Sequence, residues 1–160
     1  DLVRSRGLGD VYKRQAETDM SVVHDILDEP WEPNTLDLDH AERVVKAFVS
    51  VWDRHREVLR YRNLEADRGD PAFEAIRLRT SIRIVNRFAD HIFAAFPKRS
   101  KLTRTDATAE ASVLVAAMER LAATDLETVN RGVGAEAMWA GMTRIVARTL
   151  TGMCDESKEK

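Results

Sequence analysis

The feature that most limits what this chain can fold into is a long helical periodicity that stops abruptly, in residues 47–73, AFVSVWDRHREVLRYRNLEADRGDPAF. At helical spacing Ala41, Val45, Phe48, Trp52, His55, Leu59 and Arg62 fall on one stripe. The stripe is apolar at its start and takes in a histidine and an arginine before the helix ends. Gly69 can adopt the left-handed conformation that stops a helix, and Pro71 suits the first turn of a new one. Such a helix, with an aromatic middle and two ionisable groups on its buried side, can wall a ligand cavity. It can equally be a core helix, with His55 satisfied by a backbone carbonyl and Arg62 reaching out to solvent.

The rest of the chain has the same character. Residues 16–28 read as a short helix with Met20, Val23 and Ile26 or Leu27 turned one way, and Pro30 and Pro33 break the chain after it. Residues 29–36 are the expected mobile linker, with Trp31 packing at the joint, and Asp37 or Asp39 can cap the long helix. Residues 71–96 carry two apolar stripes, Leu78, Ile82, Val85, Ala89, Ile92 and Phe96 on one and Phe73, Ile76, Ile84 and Phe88 on the other. Arg79, Arg83 and Arg87 form a ridge on that helix, either a phosphate-binding surface or a solvated face paired with Glu65, Asp67 and Asp70. Pro97 ends the helix and KRSKLTRT is a basic loop.

Two final helices read as a pair. Thr105 or Asp106 opens the first, whose middle has almost no polar face, and a turn at residues 130–134 leads into the second. The expected architecture is therefore all-α: an antiparallel helical bundle of about five helices, one short and four longer, with no sheet. Its parts are a connecting helix and linker (16–36), a main body (37–153) and a polar tail (154–160). Helices without a solvent face need cover, and a second copy would supply it. Ala111, Leu114, Met118, Leu121, Met138, Met142, Ile145 and Leu150 are the candidate contact residues of such a homodimer.

At this point a family resemblance enters. The run FVSVWDRHREVLRYRNLEADRGDPAFEAIRLR resembles the ligand-binding half of tetracycline-repressor-like (TetR family) transcriptional regulators, where an aromatic-rich helix ends in a "GDP.F" break. The segment MTRIVARTLTG resembles the closing helix of the same proteins, so the likeness spans roughly residues 38–152. It implies an effector-binding and dimerisation domain that takes a small apolar effector and pairs with itself. DNA is read in that family by an N-terminal helix-turn-helix, which this chain does not contain. The expected pocket, between the helices at 41–67 and 71–96, is lined by Phe48, Trp52, Leu59, Ile82, Val85, Phe88 and Met118. His55 and Arg62 would fix a polar end of the ligand, and an Arg62 turned inward should meet a carboxylate from ligand or protein. The competing reading is a helical-bundle interaction protein with no ligand and no DNA role.

Residues 5–15, SRGLGDVYKRQ, resemble the in-frame translation of a transposon adapter used in sequencing libraries, so residues 1–15 are expected to be foreign to the fold. The alternative is a basic arm that grips nucleic acid. The whole chain carries 25 Lys+Arg and 27 Asp+Glu. Residues 1–15 hold four basic and two acidic residues, leaving 21 and 25, net −4. A mildly acidic domain has no general electrostatic pull on DNA.

No catalytic constellation stands out. His24, His40, His55 and His91 form no Glu-x-x-His pairs, no glycine-rich phosphate loop is present, and Cys154 is alone. The expectation is a non-enzyme without cofactor or metal. A single thiol fits a reducing cytoplasm, and no apolar run approaches the roughly 20 residues that span a bilayer.

Overall fold

Three adjacent residues make the break that the sequence announces. Gly69 takes φ +89°, Asp70 Oδ1 accepts from the backbone N–H of Ala72 (2.8 Å) and Phe73 (3.2 Å), and Pro71 is the first helical residue after it. The left-handed glycine ends one helix, the aspartate satisfies the free donors of the next, and the proline has no N–H to leave unpaired. The computed structural model describes residues 20–31, 35–95 and 102–152. Among them are six helices and no strand: α1 Ser21–Asp28, α2 Leu38–Asp67, α3 Pro71–Ala95, α4 Arg104–Ala123, α5 Leu126–Asn130 and α6 Ala135–Thr151. The adapter-like segment 1–15, Pro33, the KRSK of the basic loop, Cys154 and the tail lie outside the described residues.

Caps set most of the boundaries. Asp37 accepts from the His40 N–H at 2.9 Å and opens α2. α4 begins at Arg104, two residues before Asp106. Thr103 is its N-cap, and Thr103 and Asp106 complete a reciprocal capping box, which corrects the expected start at Thr105 or Asp106. α5 is an addition to the expected five. Asp125 accepts from the N–H groups of Glu127 and Thr128 and starts this single turn, which is too short to show a periodicity.

The α2 stripe points inward as its spacing requires. Ala41, Val45, Phe48, Trp52, Leu59 and Arg62 are all buried. α3 packs on α1, α2, α4 and α6, and buries Phe73, Ile76, Ile84, Val85, Phe88, Ala89 and Ile92. Fully burying a side chain such as Phe88 contributes about 1.5–3 kcal/mol. Leu78 and Ile82, expected on an inner stripe, are exposed instead. The elements that meet that end of α3 do so beyond them: α1 through Asp28–Arg87 and Leu27–His91, and the end of α6 where Gly152 meets Ala95.

α1 is fastened to the body at its C-terminal carbonyls. His40 Nε2 lies 3.0 Å from the Ile26 carbonyl and His91 Nε2 lies 2.8 Å from that of Leu27, so both rings donate to carbonyls of the last turn of α1, that of Ile26 accepting from the Glu29 N–H as well. Trp31 stacks on His40, with centroids 4.1 Å apart, and Arg43 grips the Glu29 carboxylate through both terminal nitrogens. Trp31 thus sits at the joint between α1 and α2. No helix among the described residues is long and apolar enough to cross a membrane.

Candidate functional site

α2 is not one straight rod. Its backbone leaves helical values at His55 (φ −120°, ψ 23°), one turn after Trp52. This break separates the apolar half of the stripe from the half that carries Leu59 and Arg62. His55 itself is half-buried.

Beyond the break, Arg62 is 1 % exposed. Its Nε donates to Asn63 Oδ1 (2.9 Å) and its Nη2 to Glu119 Oε1 (2.7 Å), which also accepts from Asn63 Nδ2 (3.2 Å). Burial pulls the guanidinium pKa below its ordinary value; Glu119 opposes that and the nearby Arg77 adds to it. Arginine stays charged all the same. Arg62 Nη1 and the indole Nε1 of buried Trp52 meet no hydrogen-bond partner among the described residues. Buried donors of this kind are uncommon and costly.

These groups adjoin a groove of about 530 Å³ between α2, α3 and α4. Trp52, Asn63 and Glu119 line it, so Arg62 stands directly behind its wall. Leu64, Ala116 and Ala123 supply apolar surface, and Arg60, Arg77 and Arg120 supply charge. Arg77 is paired with Asp67 at 2.6 Å.

Of the residues expected to share one pocket, only Trp52 reaches this groove. Phe48, Leu59, Val85, Phe88 and Met118 are buried core, and Ile82, 51 % exposed, is on an outer surface. His55 and Arg62 do not meet as a pair. Arg62 is inside, and the carboxylate it meets is the protein's own. Glu119, Asn63, Arg60, Arg77 and Arg120 were not singled out from the sequence. The available signal was Glu119, a lone acid in a nearly apolar stretch of α4.

A larger groove of about 700 Å³ separates α2 from α6, floored by Val45, Val49 and Trp139. The charges at its edge are largely engaged locally, Glu42 with Lys46 and Asp53 with Arg56. It has no counterpart to the unpaired donors beside Trp52.

A third feature is an outward apolar face on α4 and α6. Val113 is 71 % exposed and Ile145 52 %, with Ala109, Ala117 and Met142 around the same depression. Of the expected pairing residues, Ala111, Leu114, Met118, Met142 and Leu150 are buried in the chain's own fold. Leu121 and Met138 are half-buried, and Ile145 alone is exposed. The heptad spacing that marked the interface is thus mainly the inward stripe of each helix. The outward stripe of α4 runs through Ala109, Val113 and Ala117.

The described residues hold no group of three or more His, Cys, Asp or Glu able to bind a metal ion. Fold and site together define an all-α domain with an arginine-backed groove and an uncovered apolar face. The family description "Tetracyclin repressor-like, C-terminal domain" matches residues 24–156, most of the chain, and this protein belongs to that family. No curated protein and no solved structure matches it.

Proposed function

We propose that this domain is the effector-binding and dimerisation part of a TetR-like transcriptional regulator acting in the cytoplasm. The observation that carries the reading is the outward face of Val113 and Ile145, in the middle of two helices of a family that regulates transcription. A two-fold axis across α4 and α6 lets each copy cover the same patch on the other, forming a four-helix bundle from two helices per subunit. Each exposed branched side chain withdrawn from water contributes about 1–2 kcal/mol.

In this reading a small, mainly apolar effector enters the groove at Trp52. α1, fastened through His40 and His91, passes the change toward a helix-turn-helix outside this domain, which alone contacts DNA. The domain performs no reaction. A helical-bundle interaction protein without a ligand would share the pairing face, but it gives the buried donors of Trp52 and Arg62 no use.

Thermal unfolding across a hundredfold range of protein concentration tests the pairing. A dimer melts at higher temperature as it is concentrated, because association stabilises the folded state by mass action. A melting temperature independent of concentration would remove the dimer from the account.

A further inference from the structure

We infer that the groove between α2, α3 and α4 binds an amphipathic carboxylate, its acid group held by Arg60 and Arg120 and its apolar part lying along Leu64, Ala116 and the Trp52 ring. This rests on the ligand-responsive reading above and specifies the chemistry of the ligand.

Charge is the first support. The lining carries three arginines against two acids, Asp67 and Glu119. Both acids are engaged, Asp67 by Arg77 at 2.6 Å and Glu119 by Arg62 at 2.7 Å. Arg60 and Arg120 make no ion pair among the described residues. Behind the wall stands a further positive charge, Arg62, with Nη1 unmatched. The groove is therefore locally positive in a chain of net charge −2. A cation would meet like charge there, and a neutral molecule would gain nothing from the field.

Geometry is the second. A volume of about 530 Å³ lies within the roughly 300–1,000 Å³ usual for small-molecule sites. The lining mixes apolar surface with a few polar groups, which selects a ligand with one charged end. The Trp52 ring, wholly buried, adjoins the groove, and its indole N–H meets no described partner.

The test uses the full chain carrying Trp31→Phe and Trp139→Phe, which leaves Trp52 as its one tryptophan. Decanoate, decanol and decyltrimethylammonium, of matched chain length, are titrated below their micellar concentrations while Trp52 emission is followed. Decanoate should give a saturable response, decanol should bind about tenfold more weakly, and the cation should not bind. Arg60→Ala and Arg120→Ala, both at exposed positions, should weaken decanoate and leave decanol unchanged, with unaltered melting to confirm the fold. Decanol binding as tightly as decanoate, or decanoate indifferent to both arginine variants, overturns the assignment while a ligand groove stands. If none of the three gives a saturable response, the carboxylate and the groove's ligand role both fall.

Discussion

Arg62 of α2 donates through Nη2 to Glu119 of α4 at 2.7 Å, and the carboxylate that receives it is 23 % exposed while the arginine side chain is 2 % exposed. The bond joins the far half of α2 to α4 and fixes the wall of the groove. An unequally buried pair like this is weak evidence for net stability, because desolvation offsets much of the attraction. Removing one partner is a different matter, since the other charge is left behind.

Glu119→Gln should therefore destabilise the fold by about 2–4 kcal/mol, somewhat below the cost of breaking a fully buried pair because Glu119 keeps partial access to water. Combining Glu119→Gln with Arg62→Met should recover part of that loss, since no lone charge remains inside. Urea unfolding of the single and double variants measures both. A single-variant loss below about 0.5 kcal/mol would show that the pair carries little.

Two glycines should respond in opposite directions. Gly152 closes α6 at φ +69°, and a Cβ there would stand 3.0 Å from the Ala95 carbonyl oxygen. Gly152→Ala should cost about 1–3 kcal/mol from backbone strain and the close contact together. Gly132 has no positive φ, and its nearest neighbour to a Cβ is the Val129 oxygen at 3.7 Å. Gly132→Ala should be neutral or stabilising by up to about 1 kcal/mol. Equal effects at the two positions would contradict the geometry.

Acid should loosen α1. Burial lowers the pKa of His91 below its ordinary 6.5, opposed by its bond to the Leu27 carbonyl and by Asp90, with His40 and Arg87 adding to the fall. Burial also lowers that of His24, with Arg83 and Arg87 adding and Asp28 and Asp25 opposing. Above 6.5 both rings are neutral folded or unfolded, and their contribution to stability is complete. As pH drops through 6.5 toward the folded values, the unfolded chain takes up protons first and that contribution is lost. Amide protection at Val23–Leu27, taken relative to the intrinsic exchange rate at each pH, should fall from about pH 7.5 to about pH 5.5 more than protection in α4 does. His24→Asn with His91→Asn should flatten the difference. An unchanged pH response in that double variant would assign the effect elsewhere.

What was legible in the sequence is what local rules decide. Gly69 and Pro71 each act as their chemistry requires, and the α2 stripe from Ala41 to Arg62 faces inward at the spacing that revealed it. The all-α class follows from the same periodicity. Illegible were facts set by which neighbour reaches how far. Ile82 looks like core by spacing, yet α1 and the end of α6 meet α3 beyond it. On α4 both stripes are apolar, so spacing alone could not say that Met118 turns inward and Val113 outward. Glu119 and Arg62 are far apart in the chain, and only packing brings them together.

The central claim is most directly tested by sedimentation equilibrium of the chain at micromolar concentration, beside Val113→Glu and Ile145→Glu. Both side chains are exposed in the single chain, so the substitutions should leave its fold intact, whereas in a two-fold pair each buries an unmatched charge on both subunits. The account predicts a species of twice 18.1 kDa for the unmodified chain, and dissociation at least about a hundredfold easier for either variant. A monomer of 18.1 kDa in all three, each melting at the same temperature, would contradict it.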